Sequence, residues 1–293
     1  MEFIKTKTIL SKSKYPEYWF GTLYNMNLYR GCNHGCIYCD SRSECYKIEE
    51  FDKVKGKENE IEILNKELAS KRQKGAIGIG AMSDTYNPLE KTYEITRKAL
   101  ELINQYGFGV GMATKSDLIL RDIDLLKKIN ENNDVIIQIT ITCADDELAK
   151  KIEPYASSSS ERFGIIKELT DNGIFTGILL MPILPFINDT EDNIINIVKK
   201  ARDSGAKFIY ASMGMTLREG QRDYYYKRID ELFPGLSNKY KQTYGNKYSC
   251  HSMNSKKLYN VFKTECEKYN ILYKMEDIIK AYQKDQNEQL TLF

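Results

Sequence analysis

The sequence lacks several features that would each indicate a class of protein. No apolar run is long enough to cross a bilayer, and the first residues, MEFIKTKTIL, contain no apolar segment of a secretory signal. The formal net charge is only +2, so charge gives no strong case for nucleic acid binding, although a local basic surface can hide in a balanced total. No heptads, short-period repeats or low-complexity blocks appear. We expect a cytoplasmic protein with no membrane association.

The chain has seven cysteines, an odd number, and three of them lie close together at positions 32, 36 and 39. A reducing compartment disfavours structural disulfides, so clustered cysteines indicate metal binding or catalysis. Cys45 follows in ECYKIEEF, which alternates like a strand. We expect it to be a buried thiol.

Strand-like apolar runs alternate with amphipathic helical stretches, which predicts parallel strands with right-handed crossovers. A closed eight-fold barrel usually needs about 250 residues, and the alternation stops near residue 215. We therefore predict an α/β fold for residues 1–217, a partial (β/α)6 TIM-type barrel of six βα units plus an N-terminal strand. The predicted strands are 18–28, 76–82, 108–114, 135–142, 175–181 and 208–213, and the predicted helices are 91–106, 117–132, 158–172 and 189–204.

The pattern changes to successive helices after Arg218, at 221–233, 236–244 and 254–269. Pro-Gly and Gly-Asn pairs separate them. This predicts a helical C-terminal region, 218–284, that closes the barrel or covers its mouth. We expect 285–293 to be a flexible tail.

The cysteines form the motif C-x3-C-x2-C in YRGCNHGCIYC. Gly31 and Gly35 allow the backbone to fold back, so the three thiolates of Cys32, Cys36 and Cys39 fit on one tight loop around a cuboidal iron–sulfur cluster. Only three ligands come from the loop, which leaves one iron free to bind something else. The alternative is a structural zinc site whose fourth ligand is Cys45 or His34.

This motif, with the aromatic Tyr38 directly before the third cysteine, resembles the radical S-adenosylmethionine (SAM) signature. The resemblance implies a [4Fe–4S] cluster whose unique iron chelates SAM and cleaves it reductively. The resulting 5′-deoxyadenosyl radical abstracts hydrogen from a substrate. It also implies adenine contacts from the backbone beside Tyr38 and an electron donor such as flavodoxin or ferredoxin.

Longer segments are similar to the spore photoproduct lyase-like group: NLYRGCNHGCIYCDSRS, IGAMSDTYNPLEK, MATKSDLILRD and LLMPILPFIND. That lyase repairs a thymine dimer in DNA and needs a cysteine, just before a Ser-Asp pair, to return a hydrogen atom. Ala81 and Met82 occupy the corresponding positions here. Cys143, at the end of a predicted strand, or a tyrosine is a candidate replacement.

Residues at the carboxyl ends of barrel strands commonly carry chemistry. The resemblance implies that Ser83 and Asp84 accept hydrogen bonds from the SAM ammonium group, although a helix cap or Asx-turn explains them as well. Thr140 or Thr142 is expected to reach the SAM ribose, with simple β-propensity as the alternative.

Three cations are further candidates. Lys115, after a predicted strand, is expected at the barrel mouth, with a solvated lysine as the alternative. Glu-Pro at 153–154 followed by Arg162, which opens the next helix, resembles a family pattern. The resemblance implies that Arg162 contacts the SAM carboxylate, and a surface salt bridge is the alternative. Arg218 is a candidate substrate contact.

The chain ends in QLTLF, and its residues Gln289, Leu290, Leu292 and Phe293 resemble the pentapeptide by which bacterial repair and replication proteins bind the sliding clamp. A Leu-Phe anchor can fill a hydrophobic pocket. The alternative is a terminus that docks on its own domain.

The leading hypothesis is a radical SAM enzyme, possessing lyase-type DNA repair activity, that acts on nucleic acid. A second keeps the chemistry and assigns RNA, a peptide or a small metabolite as substrate. A third is a non-catalytic metal-binding protein tethered to the clamp.

Overall fold

A mainly parallel sheet organises the chain. The computed structural model describes residues 1–284. The strands are β1 (Glu2–Ile4), β2 (Leu10–Lys12), β3 (Tyr24–Met26), β4 (Lys55–Lys57), β5 (Ala76–Ile79), β6 (Gly109–Thr114), β7 (Val135–Thr140), β8 (Phe175–Leu180), β9 (Ile209–Ala211), β10 (Gly214–Thr216) and β11 (Ser249–His251). The seven-stranded sheet has the order β2-β3-β5-β6-β7-β8-β9, in which β3 and β5 to β9 are parallel and β2 is an antiparallel edge strand.

Helices connect successive parallel strands, which confirms the predicted partial barrel. The α-helices are α1 (Glu60–Ser70), α2 (Glu90–Tyr93), α3 (Ile95–Gln105), α4 (Ile123–Asn132), α5 (Asp146–Ile152), α6 (Ser159–Asp171), α7 (Glu191–Asp203), α8 (Gln221–Leu232), α9 (Leu236–Tyr244), α10 (Ser255–Lys268) and α11 (Met275–Tyr282). Short 3-10 helices lie at Pro16–Tyr18, Asp40–Arg42, Glu44–Tyr46 and Asp117–Asp122. Among the helices of residues 1–284, none has the length and apolar character needed to span a membrane.

The two faces of the sheet bury different clusters because side chains alternate along each strand. On β7, Ile137 and Ile139 pack into the large core shared with the surrounding helices. Ile136 packs on the opposite, concave face with Phe20 and Leu179. The strand is therefore buried on both sides, as its continuous apolar run VIIQIT predicts.

Helix α11 closes the end of the barrel where the parallel strands begin. Its Tyr282 hydroxyl donates to the Phe20 carbonyl, and the backbone N–H of Lys284 donates to Asp134, directly before β7. Packing at this end leaves the carboxyl ends of the strands as the accessible face.

The C-terminal region contains more than the predicted helices. Strand β11 pairs antiparallel with β10, and Met215 and Cys250 lie opposite each other in the register. These residues pack with Tyr225 and Tyr240, from α8 and α9, in the same apolar cluster as Ile37 of the cysteine loop. The region therefore packs against the loop that carries the three cysteines.

Candidate active site at the cysteine loop

The cysteine loop lies between β3 and the 3-10 helix Asp40–Arg42. Gly31 and Gly35 have φ of +81° and +70°, and a Cβ on Gly31 would stand 2.6 Å from the Phe51 carbonyl oxygen. The backbone N–H of Cys32 donates to that same carbonyl. The two glycines thus allow the tight fold of the loop that the sequence predicted.

The loop presents three free thiols, those of Cys32, Cys36 and Cys39. Burial raises the pKa of Cys32 to about 11, and the pKa values of Cys36 and Cys39 are also raised, chiefly by burial. Each thiol therefore keeps its proton at neutral pH until a metal displaces it. Three sulfur donors on one loop fit an iron–sulfur cluster that takes its fourth ligand from elsewhere.

The zinc alternative finds no support in this geometry. His34 directs Nδ1 toward Asp84 Oδ2, at 3.4 Å. Cys45 is exposed in a 3-10 helix, where its Sγ accepts a hydrogen bond from Arg218 at 3.4 Å. The prediction that Cys45 is a buried strand thiol was wrong, because the segment turns back instead of extending.

Asp84 joins the cysteine loop to the ends of two strands. Its Oδ1 accepts from Thr114 Oγ1 at 2.7 Å and from the Tyr86 N–H at 2.9 Å, and its Oδ2 accepts from the Lys115 N–H at 2.8 Å. Burial lowers the pKa of His34 more than the Asp84 charge raises it, so the imidazole is neutral at physiological pH. The bond from the Tyr86 N–H forms the Asx-turn that the sequence offered as the alternative, and the carboxylate lies beside His34 of the cysteine loop.

Ser83 is buried, and its hydroxyl donates to the Tyr29 carbonyl at 3.2 Å, just before the cysteine loop. The structure therefore places Ser83 beside the loop. The predicted contact of Ser83 and Asp84 with SAM stays a prediction.

A buried ion pair supports Tyr38. Its hydroxyl donates to Glu153, and Arg162 Nη1 lies 2.6 Å from Glu153 Oε2. Burial tends to raise the pKa of Glu153, but the positive charges of Arg162 and Lys115 hold it below its usual value. The carboxylate thus stays ionised and fixes the aromatic ring that precedes Cys39.

Arg162 is only 1% exposed, so the alternative of a surface salt bridge was wrong. Its guanidinium also donates to the carbonyls of Ser157 and Thr140, at 2.8 and 2.9 Å. The observed role is to hold Glu153, and the contact with the SAM carboxylate stays a prediction.

Lys115 is half-buried, and its Nζ lies 5.9 Å from the centre of the Tyr38 ring. Burial tends to lower its pKa, but the neighbouring Cys36 and Glu153 raise it overall, so Lys115 remains a cation. The structure therefore brings Lys115 to the cysteine loop, which was one of the two sequence-based interpretations. A cation there offsets the negative charge of bound thiolates.

Thr140, Thr142 and Cys143 lie at the carboxyl end of β7. Thr140 lies on the same face of β7 as Ile136. Thr142 follows the strand and is 1% exposed. Cys143 has no exposed surface, and its Sγ accepts from Asn188 Nδ2 at 3.5 Å. Burial raises the pKa of Cys143 to about 12, so the thiol keeps its hydrogen. Its role as a hydrogen-atom donor, and the ribose contact of the threonines, stay predictions.

Arg218 connects the C-terminal region to the segment after the cysteine loop. Its Nε lies 3.1 Å from Asp40 Oδ1, and its Nη2 donates to the Tyr248 hydroxyl at 2.7 Å. Arg218 is therefore engaged with protein groups, and a role in binding substrate stays a prediction.

Sequence reasoning missed two residues that the structure places at the site, and their signals were weak. Gln138 is a polar residue within the apolar run of β7, and it is 2% exposed on the same face as Ile136. Thr114 donates to Asp84 but belongs to no recognisable spacing.

Comparisons with known proteins agree with this geometry. A family model described as the Radical SAM superfamily matches residues 26–198. Uncharacterized protein MJ0683 of Methanocaldococcus jannaschii is 35% identical over 191 residues, which cover 64% of this chain and 69% of that protein. A Radical SAM Nalpha-GlyT isomerase of Pseudomonas phage M6 is 25% identical over 169 residues, 58% of this chain and 34% of that protein.

A solved structure of a spore photoproduct lyase variant, with bound AdoMet and dinucleoside spore photoproduct, has a similar fold. Its TM-score is 0.63 at 15% identity, and the likeness covers 85% of this chain and 74% of that chain. The family match covers more than half of the sequence and includes all three cysteines. The chain therefore belongs to the radical SAM superfamily, with a [4Fe–4S] cluster and S-adenosylmethionine as its cofactors.

Proposed function

We propose that this radical SAM enzyme abstracts hydrogen from a nucleic acid substrate, and we favour damaged DNA, in a lyase-type repair reaction. When bound, the cofactors supply the 5′-deoxyadenosyl radical that removes the hydrogen atom. Cys32, Cys36 and Cys39 hold the cluster. Asp84 orients the groups at the ends of β5 and β6, and Glu153 fixes Tyr38.

The observation that carries the proposal is an exposed aromatic ring packed against the cysteine loop. Tyr155, which follows α5, is 73% exposed. Its ring packs on Gly35, and its backbone N–H donates to the His34 carbonyl at 3.1 Å. A nucleobase that stacks on such a ring gains about 1–3 kcal/mol, whatever its identity.

A second exposed ring contacts the same segment through Arg218. Tyr248 is 50% exposed, and its hydroxyl is held by the guanidinium that also contacts Asp40. Arg222 donates to the carbonyls of residues 245 to 247, which fixes the backbone just before Tyr248. A ring held in place loses little entropy when a base stacks on it.

The comparisons add support of a different kind. The solved lyase structure contains a dinucleoside photoproduct. Its likeness to this chain concerns the fold, and Ala81 and Met82 stand where that group has its hydrogen-donating cysteine. A lyase reaction here accordingly requires another donor, and Cys143 is our candidate.

The test is binding of fluorescent 12-mer DNA and RNA by fluorescence anisotropy, with the anaerobically reconstituted full chain. Tyr155→Ala should weaken binding by about tenfold, within the range of one lost stacking contact, and Tyr155→Phe should restore it. Tyr18→Ala is the matched control, because Tyr18 is 71% exposed and lies near α11 at the closed end of the barrel. Equal effects of Tyr155→Ala and Tyr18→Ala, or no oligonucleotide binding by the wild type, would contradict the proposal.

We also propose a sliding clamp as a partner through the pentapeptide Gln289–Phe293, which lies outside the described residues. The sequence QLTLF supports this, and Lys284, the last described residue, lies at the closed end of the barrel. Deletion of 289–293 should abolish binding to an immobilised bacterial clamp. Unchanged binding after the deletion, or none by the full chain, would refute it. For electron supply we propose flavodoxin or ferredoxin.

A further inference from the structure

A cavity of about 220 Å³ lies beside the start of the cysteine loop. It is several times the ~30 Å³ that one water molecule occupies in the liquid. The N-terminal strand, β4 and the ends of β3 and β5 surround it. Its lining includes Lys5, Arg30, Lys57 and Ser83.

The charge of this lining has one sign. Lys5, Arg30 and Lys57 contribute three cations, and no carboxylate belongs to the lining. Within residues 1–284, none of the three makes an ion pair with a carboxylate. Their neighbours differ: Lys55 pairs with Glu2 at 3.1 Å, and Lys53 pairs with Glu50. The cavity therefore concentrates positive potential.

Of the three cations, Lys57 has the largest free-energy cost of desolvation in this cavity. Its side chain is half-buried, and burial together with the charge of Arg30 lowers its pKa. The charges of Glu67 and Glu60 both act on Lys57, but within residues 1–284 neither carboxylate forms an ion pair with it, and Glu67 accepts the backbone N–H groups of Ile9 and Leu10. A partly desolvated ammonium that forms no ion pair is stabilised when an anion binds beside it.

The cavity is built on the same backbone as the active site. Arg30 and Lys55 exchange two backbone hydrogen bonds of 2.9 Å, which tie β4 to the start of the cysteine loop. Ser83 lines the cavity directly before Asp84. An anion bound in this cavity therefore has a fixed position relative to the cysteine loop.

We propose that this cavity binds a phosphate group of the nucleic acid strand, next to the nucleotide that reacts at the cysteine loop. Phosphate contacts set the position of a strand without reading its sequence, which suits an enzyme that must find a modified nucleotide in varied surroundings. Lys7, two residues after Lys5 on the N-terminal segment, is exposed and adds a further cation near the cavity. This inference rests on the proposed function, because it assigns the substrate's backbone to a defined place.

The experiment compares Lys57→Gln and the double variant Lys5→Gln/Lys57→Gln with Lys53→Gln, which removes the same charge from an exposed, paired lysine nearby. Binding of a fluorescent single-stranded 12-mer is measured by anisotropy between 50 and 300 mM salt. Lys57→Gln should weaken binding about five- to tenfold at low salt. It should also reduce the slope of log K against log salt by about 0.7, the value for one phosphate contact on a single strand. Lys53→Gln should change affinity less than twofold.

Equal affinities of Lys57→Gln and Lys53→Gln would overturn the assignment. So would a raised KM for SAM in Lys57→Gln when SAM cleavage is measured without nucleic acid, because the cavity would then serve SAM. Inorganic phosphate and a nucleoside monophosphate are the second probes. If the wild type binds them through Lys57 but binds no oligonucleotide, the phosphate site stands and the nucleic acid function fails.

Discussion

The buried pair of Glu153 and Arg162 should be essential to the stability of the site, and Arg162→Met tests this. Both side chains are 1% exposed, and their closest atoms are 2.6 Å apart. Removal of Arg162 leaves the buried Glu153 carboxylate without its ion-pair partner, which costs about 3–5 kcal/mol. At the unfolding entropy typical of a 293-residue chain, this lowers the Tm by about 5–8 °C.

The assay is thermal unfolding of the metal-free protein, followed by circular dichroism, so that cluster binding does not contribute. The control is the double variant Glu153→Gln/Arg162→Met, which removes both charges and leaves an amide oxygen to accept from Tyr38. It should recover at least half of the lost stability, because no unpaired charge remains. A loss below 1 kcal/mol in Arg162→Met, or a double variant no more stable than the single one, would refute the reasoning.

Three further outcomes follow from the site. Cys32→Ala should reduce bound iron from about four atoms to near zero and abolish 5′-deoxyadenosine formation, whereas the control Cys45→Ala should retain both. Iron analysis and chromatography of the products check this. Activity in Cys32→Ala would show that Cys32 is not a cluster ligand. Asp84→Asn should lower kcat/KM for SAM cleavage at least tenfold, because hydrogen bonds to a charged acceptor contribute about 1.5–3 kcal/mol. If the variant has wild-type kinetics, Asp84 has no role in SAM cleavage. Cys143→Ala should still form 5′-deoxyadenosine, but the substrate radical should no longer receive its hydrogen atom, so that altered substrate products are detected by mass spectrometry. A normal product would mean that another group returns the hydrogen.

The α/β alternation could be predicted from sequence because each element carries its own pattern. Strand β7 is a continuous β-branched run, and helix α6 begins with Ser158 and Glu161, which form a capping box. Local chemistry decides these elements, so they need no knowledge of distant residues. The loop of the three cysteines belongs here too, since its spacing and its glycines are local.

Contacts between distant segments could not be predicted in the same way. Glu153 meets Tyr38 across 115 positions of sequence, and Cys45 meets Arg218 across 173. The alternation of ECYKIEEF resembled a strand, but Lys47 adopts a left-handed conformation that turns the chain and leaves Cys45 exposed. Short strands such as β4 and β11, of three residues each, carry too little pattern to be recognised.

The source of the abstracted hydrogen atom tests the central claim most directly. The reconstituted enzyme is incubated anaerobically with SAM, a reductant and damaged oligonucleotides that carry deuterium in their bases or sugars, and the 5′-deoxyadenosine is analysed by mass spectrometry. We predict a product one mass unit heavier with one deuterated DNA and unshifted with its unlabelled counterpart. Robust formation of 5′-deoxyadenosine that never gains deuterium from any labelled DNA or RNA would contradict a nucleic acid substrate.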